Sequence, residues 1–397
     1  MGYITVIADN NLRFGAFCLF NYICPYQKAR LVFKYLTFFV LICLLPWGNS
    51  IVFAQTGGNN TYEFLNIPPT ARLASLGGNN VSVLDNDPGF VYANPALMRE
   101  SMHESLSLNY NNYIADINFA YASYTRNFEG VGTFGAGIYY LNYGDFIHAD
   151  ETGAILGNFT ASDYVFGVSY SRPLGERLYM GSTLKFMYSS MYAWFSSGVA
   201  VDVGIHYFSA DSLFSVGGVI KNAGTQLKPY YQGQFEKLPF DVQVGVSQRL
   251  RHAPFRFSIT MQDLMNWSLR YNSPFDNTGF DTGNQSADTA SLAFSQKLNN
   301  FFNAAGRAGD ELLRHAVVGV EILPSPNFYI SLGFNYRRRA ELAMSTRPGL
   351  IGFSVGAGIR ISKINIAYGF ANYHMAGKSH LISLSTNLND FYRKSSL

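Results

Sequence analysis

The feature that most limits what this chain can become is a two-residue alternation repeated in tandem from about Ser105 to near the C-terminus. Val199, Val201, Val203, Ile205 and Tyr207 are apolar, while the residues between them, Ala200, Asp202, Gly204 and His206, are small or polar. Phe328, Ile330, Leu332, Phe334 and Tyr336 interleave in the same way with Tyr329, Ser331, Gly333 and Asn335. Phe240, Val242, Val244 and Val246 alternate with Asp241, Gln243, Gly245 and Ser247, and Ile351 to Ile359 repeats the pattern against glycine and serine. Successive side chains of a strand point to opposite faces, so each run carries one greasy face and one polar or glycine face.

A soluble sandwich alternates too. Run length and composition separate the two cases. The runs are about 9–13 residues long, close to what a tilted strand needs to cross a bilayer. The chain is 48% hydrophobic and 14% charged, yet its mean hydropathy is only +0.03. With 27 Tyr, 33 Phe and 37 Gly among 397 residues, this is the composition of a barrel with one lipid face and one wet face rather than of a helical bundle. Aromatic residues near the run ends (Tyr139, Tyr140, Tyr143, Tyr188, Tyr192, Trp194, Tyr230 and Tyr231) are expected to form interfacial girdles.

Fifteen segments qualify as strands: 105–113, 116–126, 131–140, 162–172, 177–189, 198–208, 212–221, 240–250, 254–263, 291–298, 315–323, 327–338, 349–361, 363–373 and 379–388. An odd count is unusual for a bacterial single-chain barrel, whose connections alternate between short inner turns and long outer loops. After a short first outer turn at 114–115, that alternation holds to the end only if 264–314 is one long external loop. The expected fold is therefore all-β: a transmembrane antiparallel barrel of about 14 strands, with both termini on the periplasmic side. Glu311 to Arg314 is expected to add a short helix.

Two regions stand outside the pattern. Lys28, Arg30 and Lys34 precede the apolar stretch Tyr35 to Leu45, followed by Pro46, Gly48 and the small-residue end at Ala54. This is the layout of a secretory signal, so residues 1–54 are expected to be removed, with cleavage after Ala54. All three cysteines lie there (Cys18, Cys24, Cys43), which leaves no thiol chemistry in the mature chain. Four of the 29 basic residues and one of the 26 acidic ones also lie there, leaving 25 of each and no bulk charge to hold a nucleic acid. Residues 55–104 are rich in turn formers: Gly57-Gly58-Asn59-Asn60, Pro68-Pro69, Gly77-Gly78-Asn79-Asn80 and Asp85-Asn86-Asp87-Pro88. Irregular backbone cannot face lipid, so this segment is expected as a hatch in the lumen or on the periplasmic side, ahead of the barrel at 105–392.

No catalytic or metal constellation stands out, and neither an enzymatic activity nor a cofactor is expected. The seven histidines are scattered, and His206 reads as a polar lumenal residue. Gly132 to Gly137 lies in a strand pattern with no following helix or Lys-Ser/Thr pair, so it fails as a phosphate loop. Asp85-Asn86-Asp87 lacks the glycine and distal glutamate of a calcium loop and reads as a turn. Arg72 is placed to pair inside the lumen. Arg337, Arg338 and Arg339, expected at the outer end of the eleventh strand, suit phosphates or carboxylates, although basic rims are also ordinary interfacial features. Loop 264–314 carries Trp267, Tyr271, Phe275 and Phe280, an aromatic set that points to a partner or ligand.

The hatch segment also carries a resemblance. Arg72 to Gly77-Gly78, Val81-Ser82, Asn86-Asp87 and Asn94-Pro95-Ala96 resemble the start of the PorV/PorQ family of the type IX secretion system, itself similar to FadL-type fatty-acid transporters. Tyr62 to Leu65, Lys221 to Leu227 and Asn335 to Leu342 point to the PorQ side of that family, over about residues 55–392. The resemblance implies a fourteen-stranded outer-membrane barrel with an N-terminal hatch. It further implies a role in attaching secreted cargo to lipopolysaccharide, with a PorZ-like surface protein, PorU and PorV as partners. Its FadL side implies the alternative, transport of hydrophobic small molecules. The chain's end, Phe391 to Leu397, departs from the terminal aromatic of many barrels.

Overall fold

A computed structural model of the chain describes residues 60–114, 117–269, 306–342, 350–374 and 377–392. The signal segment, Tyr271, Phe275, Phe280 and the dropped candidate 291–298 lie outside the described residues. The alternating runs form fourteen strands: β1 (Ser105–Asn112), β2 (Asn118–Phe128), β3 (Gly132–Ala149), β4 (Ile155–Pro173), β5 (Leu178–Met191), β6 (Trp194–Phe208), β7 (Phe214–Lys228), β8 (Asp241–Arg249), β9 (Phe255–Met261), β10 (Ala316–Ser325), β11 (Phe328–Asn335), β12 (Phe353–Ile361), β13 (Ile364–His374) and β14 (Gly377–Asn387). Each pairs antiparallel with its sequence neighbours, and β1 pairs with β14 from Ser105↔Asn387 to Asn112↔His380, which closes the barrel. Closure is what permits a sheet to sit in lipid, because no edge is left with unpaired N–H and C=O groups.

Burial alternates with the expected period. On β6 the small and polar residues Ser196, Ala200, Asp202 and His206 are buried inward, while Val203, Ile205 and Tyr207 are exposed on the outside. On the opposite wall Leu332, Val355, Ile359, Ile366 and Tyr368 face outward. An apolar exterior on a closed sheet is the surface of a transmembrane barrel. The short connections, such as 129–131, 174–177 and 326–327, gather at one end, here the turn end, with Ser105 and Asn387. The longer connections gather at the opposite, loop end.

The structure corrects several boundaries. The expected loop 141–161 is largely strand, because β3 and β4 continue to a tight turn at 150–154. The pair Phe146↔Phe159 holds the extension together, and bulges between Asn142 and Asp145 and between His148 and Ala149 absorb the register shifts. At 18 residues, β3 is about 60 Å of extended chain. With 7 residues, β9 is about 23 Å. The wall therefore rises much higher on one side than on the other. β5, β6 and β7 likewise run further toward the loop end than expected, to Met191, from Trp194 and to Lys228.

The eleventh strand stops at Asn335 instead of 338. Its outer end becomes helix α3 (Tyr336–Leu342), which follows α1 (Ala71–Ser75) and α2 (Gly306–His315) in the chain. The Asn335 side chain caps α3 by accepting from the Arg338 amide (3.1 Å), and Arg337 pairs with Glu341 one turn on (2.8 Å). Helix α2 spans the position expected for a helix at 311–314. The twelfth strand starts at Phe353 instead of 349, after Gly352 at φ +87° turns the chain. The expected girdle divides. Tyr140, Tyr164 and Tyr188 lie alongside one another on the outside, whereas Tyr139 is buried, and Tyr143 and Tyr230 turn inward to Asp163 and Ser189.

The barrel is filled. Residues 60–104 pack against inward-facing residues around the wall, from Tyr62 on Ser196 (2.5 Å) and a bridge of Asn60 to Lys237 near the loop end to Met102 on Thr125 (2.5 Å) at the turn end. Inward glycines leave room for this backbone: a Cβ on Gly217 would lie 1.9 Å from the Val81 carbonyl oxygen, and one on Gly333 would lie 2.1 Å from the Gly77 nitrogen. Gly217→Val is therefore expected to cost about 1–3 kcal/mol through overpacking. The folded band on a semi-native gel should convert to the unfolded band at a lower temperature, while Gly175→Ala, with nothing near its Cβ position, should leave that temperature unchanged.

Candidate functional site

The inserted segment is irregular in sequence but locally well specified. Thr70 caps α1 by accepting from the Leu73 amide (3.3 Å). Two further turns use one chemistry: Asp87 accepts from Gly89 N (2.9 Å) ahead of Pro88, and Asn94 accepts from Ala96 N (3.0 Å) ahead of Pro95. Each places proline at the first helical position, where its missing N–H costs nothing. Asn94 also donates to the Val81 carbonyl (2.9 Å), tying the second turn to the first half of the segment.

Serines on the wall satisfy the backbone that these turns leave open. Ser383 accepts from Ala71 N (2.9 Å), Ser354 accepts from Gly77 N (3.1 Å), and Ser215 donates to the Ser82 carbonyl (2.7 Å). Ser75 pairs with Ser331 (2.6 Å) and Ser82 with Ser247 (2.7 Å). His206 is fully buried with Nε2 at 3.1 Å from the Ser82 carbonyl, so Nε2 carries the donating proton. Gly77 and Gly78 adopt φ +94° and +95°, and this reversal brings the Gly77 carbonyl to Arg338 (3.2 Å) and Asn335 (3.3 Å).

A buried ion cluster is the strongest single tie. Arg72 reaches Asp85 (2.6 Å), Glu321 (2.9 Å) and Asp87 (3.9 Å), and its guanidinium lies 4.2 Å from the centre of the Tyr329 ring. Arg256 on β9 joins the same carboxylates, at 2.5 Å to Glu321 and 3.4 Å to Asp85, and donates to the Leu84 carbonyl (3.1 Å). The cluster therefore links α1, the 85–87 turn, β9 and β10. Burial acts to raise the Asp85 carboxyl, but the charges of Arg72 and Arg256 with the Asn86 amide more than reverse this and hold it well below the usual carboxylate range. Burial lifts Asp87 above its ordinary value against the pull of the more distant Arg72. Asn86 itself accepts from Ser101 Oγ (2.7 Å), so the triplet builds a turn and a charge cluster.

The sequence-selected arginines do not act as one patch. Arg337 pairs with Asp263 (2.5 Å) and Glu341, Arg338 turns down onto Gly77, and Arg339 is buried. Trp267 is exposed and stacks its ring on His315 (5.4 Å).

Two features of the loop end escaped the sequence reading. The first is an aromatic face on the tall side of the wall. Phe159 lies two residues from the inward Ala161, and its partner Phe146 stacks on it at 5.1 Å. Tyr192 packs edge-on against Phe159 (5.1 Å), and Trp194 packs on Tyr231 (5.5 Å). Below them Tyr143 packs on a lumenal cluster of Tyr62, Phe64, Phe119, Tyr139, Leu141 and Met187. The signal lies in the alternation of Phe159, Ala161 and Asp163, of which the first two fall in the segment 141–161 expected as a loop.

The second feature is a break in the wall. β7 pairs with β8 only as far as Lys221↔Asp241, while β7 itself continues to Lys228 beside β6. A bulge opposite Asp202 with Asn222 at φ +56° bends the strand there. Lys185, Asp202 and Asn222 bond to one another at this level (2.6 to 3.0 Å). A cavity of about 30 Å³ lined by Tyr92, Ser123, Gly137, Gly167, Lys185 and Asp202 lies beside them, room for roughly two waters at ~10–15 Å³ each.

No family profile and no curated protein matches the chain. Solved structures do. The Pseudomonas putida toluene transporter TodX is 10% identical, with 79% of this chain covering 97% of that one at a TM-score of 0.47. A Pseudomonas aeruginosa FadL homologue is 10% identical, with 80% covering 98% at 0.44. These are distant likenesses in overall shape, and the barrel assignment rests on the strand pairing itself.

Removing one member of the ion cluster leaves buried charge uncompensated, at about 3–5 kcal/mol. Glu321→Ala is therefore expected to loosen the inserted segment and make it accessible to protease in folded barrels, read as cleavage N-terminal to Ser105. Asp87→Asn should have the smaller effect of the two aspartate changes and Asp85→Asn the larger. Because the Asp85 value is depressed, its stabilisation is complete above the ordinary carboxylate range and fades only as pH falls below it. The difference in protection between the wild type and Asp85→Asn should thus be the same at pH 5 as at pH 7.

Proposed function

We propose that this outer-membrane barrel captures hydrophobic small molecules at its loop end and passes them along the inserted segment, which acts as its hatch. In this reading the loop end faces outside, both barrel termini face the periplasm, and the signal is cut after Ala54. The observation that carries the reading is the aromatic face at the loop end, where the register turns Phe159 and its partner Phe146 to the same side as the buried Ala161 and Asp163, Tyr192 packs on Phe159 and Trp194 on Tyr231, with Tyr143 and the lumenal aromatic cluster further down the same wall. Aromatic surface on the axial side of a wall is screened from lipid and favours apolar solutes arriving from water. The unpaired stretch of β7 beside β8 and the small cavity at Lys185–Asp202 supply the place where the hatch and wall must shift to let such a solute through.

A second reading is that the barrel anchors a surface partner, a PorZ-like protein with PorU and PorV, in the type IX complex that attaches cargo to lipopolysaccharide. The resemblance in the hatch motif supports it, as does a hairpin that stands clear of the rest of the wall. Contacts of Arg337, Arg338, Arg339, Trp267, Tyr271 and Phe275 with that partner or with lipopolysaccharide belong to this reading.

Trp194 provides a direct test. Titration with a brominated hydrocarbon should quench its fluorescence in purified barrels, and the triple change Phe146→Ser, Phe159→Ser, Tyr192→Ser should weaken this by at least about tenfold, since apolar ring surface covered by a solute contributes roughly 25 cal/mol per Å². Unchanged quenching in the variant sinks the capture reading. Loss of one surface protein from an outer-membrane pull-down, with quenching intact, transfers the hairpin to the anchoring role.

A further inference from the structure

We propose that His315 is a proton-operated staple: as an imidazolium it fastens residues 262–269 to helix α2, and with them the turn Gly77–Asn79 of the inserted segment, and loss of its proton releases all three. His315 closes α2 at the loop end and is fully buried. Its Nδ1 lies 2.8 Å from the Gln262 carbonyl oxygen, and its Nε2 lies 3.2 Å from the Trp267 carbonyl oxygen. Both partners are acceptors. A neutral imidazole has one N–H and one lone pair, so only the cation donates to both.

The surroundings suit that charge. His315 stands in the last turn of a ten-residue helix, at its negative end. The Trp267 ring stacks on the imidazole, with 5.4 Å between centres and 27° between planes. The other charged groups nearby are engaged elsewhere. Asp263, in the 262–269 stretch, pairs with Arg337 (2.5 Å), and Arg337 also reaches Glu341 on α3. On α2, Asp310 pairs with Arg314 (3.0 Å), and Glu311 accepts from the Leu269 amide (2.5 Å). Asp241 on β8 accepts from the Asp263 amide (2.6 Å), and Arg339 of α3 is buried. The charge on His315 therefore rests on two carbonyls, and a neutral ring would leave one of them facing a lone pair.

Two lines run from this staple to one turn of the inserted segment. On the first, the Gln262 amide donates to the His315 carbonyl (2.9 Å), and the Gln262 side chain accepts from Asn79 Nδ2 (3.3 Å). On the second, Asp310 of α2 accepts from the Tyr336 hydroxyl on α3 (2.5 Å). Arg338 of α3 and its capping residue Asn335 then donate to the Gly77 carbonyl (3.2 and 3.3 Å). The Arg337–Asp263 pair cross-links the two lines. His315 sits where they meet, so one side chain controls both holds on the turn.

The direction of the switch follows from which form is held. The closed arrangement binds the protonated ring, so closure is complete on the acid side and is lost as pH rises. Imidazole is the side chain whose ordinary titration falls between about pH 5 and 8. On deprotonation a charge-assisted hydrogen bond gives way to an unmet buried carbonyl. The aromatic face and the end of the β7–β8 pairing take no part, so the staple is independent of hydrocarbon capture.

Hydrogen exchange of folded barrels tests this, read by mass spectrometry at about pH 5.5 and about pH 8.5 and corrected for the intrinsic rate at each. In the wild type, protection of 262–269, 306–315 and 77–79 should fall together by on the order of tenfold from the acid to the alkaline condition, as expected for one charge-assisted hydrogen bond. H315Q, whose side-chain amide cannot donate to both carbonyls, should show the low alkaline protection at both values. H252Q, at the turn end, should match the wild type. Wild-type protection that does not change with pH overturns the proposal, and this comparison needs no variant, so it decides even where H315Q does not fold. A pH response that survives in H315Q assigns the switch to another group and overturns it as well. A response in 262–269 and 306–315 that leaves 77–79 unchanged overturns the link to the inserted segment.

Discussion

The pairing of β1 with β14 is the contact on which the rest depends. A strand in hydrocarbon has no water to satisfy its backbone, so a sheet with one open seam is not an available state. Eight register pairs from Ser105 to Asn112 close that seam, and every other feature takes its position from it. Inward and outward faces are fixed by alternation around a closed circuit, and a slip of one residue anywhere would turn the serines and charges to lipid and the valines to the lumen. The bulges at Asn222 and between Asn142 and Asp145 are tolerated because each lies toward the loop end, where the wall rises beyond the short strands.

Within that frame the lumen behaves as the core of a soluble protein assembled from two sources. The wall contributes hydroxyls, glycines and two ion-pair sets. The inserted segment contributes turns whose open backbone groups meet those hydroxyls. Ser75, Ser82 and Asn94 each bond both within the segment and to the wall, which fixes the segment by position and not merely by volume. Arg72 matters for a different reason. Its buried charge needs Asp85 from its own segment and Glu321 from the wall at once, so neither part provides a complete environment alone.

Much of this was legible in the sequence, and the misses have physical causes. Alternation and loop parity yielded fourteen strands because side-chain period and membrane thickness are both strict. Strand ends were less legible. Asn142 to Asn158 reads as a loop because glycine, aspartate and asparagine dominate it, yet Phe146 and Phe159 find each other across the hairpin. Tyr336 to Arg338 read as a strand continuation by periodicity and 339–348 as an outer loop, although an asparagine cap and an Arg–Glu pair make Tyr336–Leu342 a helix. Arg72 was visible as a lumenal cation, but its partners were not, since Arg256 and Glu321 are far away in sequence and only closure brings them together. Tyr139 and Tyr143 show the same limit: an aromatic near a strand end serves a girdle or a lumen according to parity, and parity shifts at a bulge.

The polarity of the inner wall has one further consequence. Asp163, Lys185, Asp202, Arg256, Glu321 and the serine rows are the lining one would expect of an aqueous conduit, not of a sealed one. Water would hydrate that lining as readily as Ser75 and Arg72 now bond to it. The wall by itself would thus line a wet polar bore, and in the structure its side chains bond to the residues between Asn60 and Glu104 in place of water.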